Sequence, residues 1–273
     1  MFDFLKTKQS GAPVEKEILN KKDLVTLIIL DGFGVHPDPE GNAVLAAKTP
    51  FLDTAWTYGR STLIHASGTH VGLPAEEAGN SEVGHLNLGA GQVVYQTLPR
   101  INDAIEAHDL EKNKVISEMI ATVKQKHTKV HLVGVLSAAG VHGHIKHLFS
   151  LLEICRANGI DPYIHVMLDG RDAPPHDGYL YMDKLKQKMK ELGIGQISTI
   201  MGRFYGMDRD NRWERTKQAY DAMVGLAEDT FEDPSQAIQK AYANGEDDQF
   251  FKPRMCIKNG LPIGPVREGD AVL

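Results

Sequence analysis

The sequence predicts an α/β protein, on three observations. Short runs rich in β-branched residues recur along the chain, segments of helical periodicity separate them, and glycine-containing polar turns follow the runs directly. Near-continuous apolar runs suit strands buried on both faces of a sheet, and the turns at strand tips are where open α/β sheets gather their chemistry. At 273 residues the chain is long enough for one large or two modest domains.

Residues 1–22 are polar and of mixed charge, with neither a signal-peptide core nor the acid-poor character of a transit peptide, and read as a loosely ordered leader. Residues 24–30 form the first apolar run and are expected to be a buried strand. Asp31-Gly32-Phe33-Gly34 follows, so Asp31 lies just past the strand's carboxyl end, where a carboxylate serves as a turn residue or as a hard-metal ligand. Residues 42–58 have the pattern of an amphipathic helix and residues 61–66 that of a second strand. Then comes Ala78-Gly79-Asn80-Ser81-Glu82-Val83-Gly84-His85, a serine in a glycine-flanked turn. A serine hydroxyl is a poor nucleophile at neutral pH and needs a base or a metal to take its proton. Gly79 and Gly84 are expected to supply the bend that exposes it. The same octet also fits an ordinary surface loop; its weight comes from Asp31, His142, Arg171, Asp172, Arg203 and Arg209 in comparable turns. Gly89-Ala90-Gly91-Gln92 lacks the lysine and hydroxyl of an NTPase phosphate loop.

A helical stretch, residues 101–126 with a break near 108–113, leads into a second series of strands. The first of these, 130–136, runs into Ser137-Ala138-Ala139-Gly140-Val141-His142-Gly143-His144, and a helix follows with Ile145, Leu148, Phe149, Leu152 and Cys155 at helical spacing. A His-x-His turn can contribute to a zinc site, but no cysteine or acidic cluster stands beside it; an imidazole there can instead hold an oxyanion or move a proton. The next strand, 163–168, ends in Asp169-Gly170-Arg171-Asp172. Arg171 can fork onto a carboxylate or phosphate and Asp172 can accept from a hydroxyl, with an Arg–Asp surface pair as the plainer alternative. The third, 196–201, leads into Gly202-Arg203-Phe204-Tyr205-Gly206-Met207-Asp208-Arg209-Asp210, where Arg203 and Arg209 can face one cleft while Phe204 and Met207 pack. A long helix through Trp213, Tyr220 and Met223, a short helix over 234–243, a loop over 260–264 and the start of a strand over 269–273 complete the pattern.

The net charge of −6, with no long lysine or arginine run, argues against a nucleic-acid partner; an anionic ligand must be held by local arginines against the overall field. No apolar run reaches the roughly 20 residues that span a bilayer. Cys155 and Cys256 stand far apart in no metal-binding spacing and read as reduced thiols of a cytoplasmic protein.

Taken in order, Asp31-Gly32-Phe33-Gly34, Gly79 through His85, Gly140-Val141-His142, Leu168 through Asp172, and Gly202-Arg203 through Met207-Asp208-Arg209-Asp210 resemble the amino-terminal half of cofactor-independent phosphoglycerate mutases, two-metal enzymes related to alkaline phosphatases. The resemblance implies an incomplete alkaline-phosphatase-like α/β segment over 23–96 and a phosphoglycerate-binding α/β domain of strand–helix repeats over 97–273. It implies interconversion of 3-phosphoglycerate and 2-phosphoglycerate through a phosphoserine, without 2,3-bisphosphoglycerate. Ser81 is then the nucleophile and a metal ligand, Asp31 binds the same manganese, and His142, Arg171, Asp172, Arg203 and Arg209 hold the substrate. The complete enzyme takes two Mn2+ ions. Family chains are nearly twice as long, so the remaining metal ligands and further substrate cations are expected on a carboxyl-terminal complement, in this or a separate polypeptide, and the family otherwise suggests a monomer. Ala138, Gly143 and Gln92 stand where the family commonly has an acid, a hydroxyl and an arginine. Two other readings compete: a metal-dependent phosphatase of the same superfamily, and an inactive phosphoglycerate-binding fragment.

Overall fold

The computed structural model describes residues 26–59, 61–75 and 77–273. The expected leader, residues 1–22, lies outside them, as do Leu24 and Val25 of the first apolar run. The chain forms two compact units, Met1–Leu63 and Ile64–Leu273, and the boundary anticipated at Gln96 falls inside the second.

In the first unit the strand expected over 24–30 is not found in its described part. Residues 26–30 join no ladder, and Leu27 and Ile28 are 74% and 77% exposed. An apolar run becomes a strand only where a neighbour takes up its N–H and C=O groups, and no described residue of this unit is in a strand. Residues 61–66, the second expected strand, are unpaired as well. The helix expected over 42–58 is two helices, α1 (Ala43–Ala46) and α2 (Pro50–Tyr58). Asn42 caps α1 by accepting from the Leu45 N–H at 3.1 Å. Pro50 disfavours helical backbone at Thr49, so the chain leaves the helix and restarts with the proline in the first turn.

The second unit begins with α3 (Ser81–Ala90), α4 (Thr97–Glu106) and α5 (Lys114–Lys126). Asn113 caps α5, which accounts for the break read near 108–113. Strands β1 (Val130–Leu136), β2 (Tyr163–Leu168) and β3 (Gln196–Gly202) then lie parallel and adjacent. Helix α6 (Ile145–Ala157) connects the first two and α7 (Gly178–Leu192) the second and third. Beyond β3 come α8 (Arg203–Gly206), α9 (Trp213–Val224), β4 (Thr230–Phe231), α10 (Pro234–Ala243), β5 (Arg254–Lys258), β6 (Leu261–Pro262) and β7 (Ala271–Val272). The sheet runs β4-β5-β3-β2-β1-β7, with β5 antiparallel to β3 and β6 paired to β5.

Leu132, Leu136, Ile164, Leu168 and Ile200 of the strands share one core with Leu152 of α6, Met182 and Leu185 of α7, and Ile238 of α10. Each such side chain contributes about 2 kcal/mol of burial free energy, and together they fix the strand tips in place. A buried polar chain crosses the same sheet. The His131 and His165 rings meet at 2.9 Å, His165 Nδ1 lies 3.0 Å from Thr199 Oγ1, and His131 Nε2 lies 3.2 Å from Asp270 Oδ2. One proton arrangement satisfies it with both rings neutral: His131 donates to Asp270, His165 donates to His131, and Thr199 donates to His165. Burial pushes His165 down to about 3, and it lowers His131 despite the Asp270 carboxylate.

Candidate ligand-binding site

Because β1, β2 and β3 are parallel, their carboxyl ends share one edge of the sheet, and the three turns that follow meet there. They enclose a cleft of about 240 Å³. His142 after β1, Arg171 and Asp172 after β2, and Arg203 and Arg209 after β3 all line it.

Arg203 is 9% exposed and sits at the centre. Its Nη1 donates to Asp169 Oδ1 at 2.7 Å and to Asp172 Oδ2 at 2.5 Å. Asp172 therefore pairs with Arg203 across the cleft, and the Arg171–Asp172 surface pair of the plainer alternative is not formed. Asp169 also accepts the backbone N–H groups of Arg171 and Asp172 at 3.3 and 3.0 Å, an Asx-type turn that shapes the loop. Burial pushes the Asp169 carboxyl up, but the N–H of Asp172, the Arg203 guanidinium, the Ser137 hydroxyl and the N–H of Arg171 together hold it below the ordinary value. The His142 imidazole lines the cleft and stands 3.8 Å from Asp172 Oδ2. His144 points elsewhere: its Nδ1 accepts the Lys146 N–H and caps α6, so the His-x-His pair is divided between two tasks.

Among the described residues neither Arg171 nor Arg209 forms an ion pair. Their guanidinium charges are therefore available to a ligand, whereas Arg203 is already matched. A further arginine, Arg215 on α9, also lines the cleft. It pairs with Asp208 at 3.2 Å and Asp210 at 3.7 Å, and lies over the Phe204 ring at 3.9 Å from the centroid. It braces the turn that carries Arg209. Sequence reading passed over Arg215 and Asp169; the available signal was an acid directly after an apolar strand, and a basic residue one turn into the helix after an aspartate-rich loop. Phe204 and Met207, expected to pack, also form part of the cleft wall.

Ser81 is the first residue of α3, so the octet around it is a helix start, where a free turn was expected. Asn80 caps the helix by accepting the Val83 N–H at 3.0 Å. Gly84 lies inside the helix, with open space where a side chain would be, and supplies no bend. Gly79 does meet the expectation, since a Cβ there would come 1.6 Å from the Ala66 carbonyl oxygen. Ser81 is exposed at a helix N-terminus, where unpaired N–H groups favour anions. Its Oγ is 3.2 Å from His85 Nδ1, which is also 2.8 Å from the Ser81 carbonyl oxygen. A carbonyl only accepts, so Nδ1 carries the proton and His85 cannot take the one on Ser81. Activation of this hydroxyl falls to another group. Asp31 is exposed in a turn of the first unit, while Ser81 belongs to the second. Among the described residues no group of three or more His, Cys, Asp or Glu is placed to hold a metal ion.

Parallel strands ending in an arginine-rich cleft, with an exposed serine at a helix start in the same unit, define an α/β domain suited to an anionic, hydroxyl-bearing ligand. Comparison with known proteins is specific. The chain belongs to the BPG-independent PGAM N-terminus family, whose model matches residues 101–273. It is 44% identical over 254 residues to a 2,3-bisphosphoglycerate-independent phosphoglycerate mutase of Acetivibrio thermocellus, covering 93% of this chain and 50% of the relative. It is equally 44% identical to its Listeria welshimeri counterpart over 253 residues, covering 92% and 50%. A crystal structure of Leishmania mexicana phosphoglycerate mutase at low cobalt concentration superposes with a TM-score of 0.74 at 30% identity, over 89% of this chain and 47% of that one. The chain spans about half the length of the curated relatives it matches.

Proposed function

We propose that the cleft binds phosphoglycerate and that the complete protein interconverts 3-phosphoglycerate and 2-phosphoglycerate through a phosphoserine at Ser81. The observation that carries this reading is the convergence of three strand-tip turns on one cleft in which Arg171 and Arg209 have no acidic partner among the described residues. A ligand with a phosphate and a carboxylate offers two anionic groups for two free guanidiniums, and Asp172 beside His142 suits the hydroxyl between them.

Phosphoryl transfer forms a bond from Ser81 Oγ to phosphorus and breaks the one to the glycerate oxygen, which takes up the proton the serine gives up. The retained glycerate then presents its other hydroxyl, and the phosphoryl group returns to it. Arg171 and Arg209 hold the glycerate and offset the charge spread over the phosphoryl oxygens, and Arg203, its charge matched by Asp169 and Asp172, contacts the glycerate through its remaining N–H groups. Asp31 and Ser81 are each a hard oxygen donor of the kind a divalent ion such as Mn2+ takes; bound, that ion would lower the serine pKa and offset phosphate charge. Such an ion takes about six donors, so the complement supplies the rest. We assign the reaction to the cytoplasm and to the chain together with a carboxyl-terminal complement; alone, the chain binds the ligand without turning it over.

The test is reconstitution with the carboxyl-terminal half of a relative, following 2-phosphoglycerate formed from 3-phosphoglycerate. Turnover that disappears with Ser81→Ala supports the reading. Isomerisation that persists in that variant overturns it, and free phosphate in excess of 2-phosphoglycerate identifies a hydrolase.

A further inference from the structure

Residues 247–251 lie directly behind both arginine-bearing turns. At Gly170 (φ +64°), in the turn before Arg171, a Cβ would come 2.5 Å from the Gln249 nitrogen and 2.9 Å from the Asp248 Cβ. At Gly202, in the turn before Arg203, a Cβ would come 2.3 Å from the Gln249 carbonyl oxygen. Backbone hydrogen bonds close the contact on both sides. Asp248 N donates to the Pro175 carbonyl at 2.9 Å, Gly202 N to the Phe251 carbonyl at 2.7 Å, and Phe204 N to the Gln249 carbonyl at 3.1 Å. Phe251 anchors the segment's end in the core, and one carboxylate ties its middle to two helices. Asp248 is 1% exposed; its Oδ2 accepts the Gly178 N–H at 2.7 Å, in the first turn of α7, and its Oδ1 accepts the Tyr242 hydroxyl at 2.5 Å, from α10. Burial pushes this carboxyl up to about 6, against the Tyr242 and Gly178 bonds and the nearby His176, with Asp247 adding to the rise.

We propose that Asp248 is a positioning residue for the cleft, holding the Arg171–Asp172 turn and the Arg203–Arg209 turn at the separation that a ligand with two anionic ends requires. It touches no ligand; it acts through the backbone of residues 248–251, which includes Gln249, a residue of the cleft wall. This inference rests on the reading of the cleft as a phosphoglycerate site.

The test compares two probes on the 273-residue chain by calorimetry: 3-phosphoglycerate, which spans both turns, and inorganic phosphate, which needs only one. Misplacing one turn by a fraction of an ångström weakens only the spanning ligand, by about tenfold. Asp248→Ala is therefore expected to bind 3-phosphoglycerate about tenfold more weakly, and phosphate within about twofold of the unaltered chain. Asp248→Asn, which keeps an acceptor for Gly178 and a polar partner for Tyr242, is expected to recover most of that loss. Should Asp248→Ala not fold, Tyr242→Phe removes one of the two side-chain bonds and is expected to weaken 3-phosphoglycerate selectively by about threefold. An unchanged affinity ratio between the two probes in the folded variants overturns the proposal, as does an equal loss of both. Failure of the unaltered chain to bind 3-phosphoglycerate would instead overturn the reading of the cleft.

Discussion

Replacing Arg203 with methionine tests how the cleft is held together. The substitution keeps an unbranched apolar stem but removes the donor that Asp169 and Asp172 share. Asp172 is partly exposed and can turn to solvent. The Asp169 side chain is 5% exposed and cannot, so it is left ionised and short of a partner. Deleting one member of a buried ion pair costs about 3–5 kcal/mol. Asp169 keeps its bonds from the Arg171 and Asp172 N–H groups, so the lower end applies, about 3 kcal/mol. For a unit of this size each kcal/mol moves Tm by about 2–4 °C, giving a fall of about 6–12 °C. Near-ultraviolet circular dichroism melts measure it. Adding Asp169→Asn to Arg203→Met is expected to recover part of the loss, because the stranded charge is gone. A fall of less than about 2 °C in the single variant, well under that estimate, would refute the claim that this pair organises the site.

Three further outcomes are expected. His165 titrates near 3 in the fold against an ordinary 6.5, so between those values the unfolded chain binds the extra proton and stability rises with pH. The effect is on the order of 4 kcal/mol across that window, and denaturant melts of His165→Phe at pH 4 to 7 are expected to show a smaller rise. Cys155 and Cys256 are buried, unpaired and pushed up to about 11 by burial, so both resist a thiol-labelling reagent at neutral pH and react once urea unfolds the chain. Leu185→Ala opens a cavity beneath α7 and is expected to cost about 2–5 kcal/mol in a urea melt, without altering the cleft residues.

Strands β1 and β2 begin and end where their apolar runs do, because most of each run is buried in a parallel sheet. The five cleft residues were legible for the same reason: each follows a strand, and parallel strands bring their following turns together. The run over 24–30 looked equally strand-like and is not one in its described part, since composition cannot show whether a partner ladder exists. Ser81 was legible as exposed and Gly79 as a close-approach position, whereas Gly84 was misread because its glycine marks no turn. Asp248 left no local trace at all: its partners lie on α7 and α10, and only the folded chain brings them to it. His131 and His165 were equally silent, each a lone polar residue inside an apolar run.

The most direct measurement is calorimetric titration of the 273-residue chain with 3-phosphoglycerate, alongside the Arg171→Met/Arg209→Met double variant. Neither arginine forms an ion pair among the described residues, so the double variant is expected to melt close to the unaltered chain. Saturable binding by the unaltered chain that vanishes in the variant is the expected result. Equal binding by both, or none by either at millimolar ligand, contradicts the account.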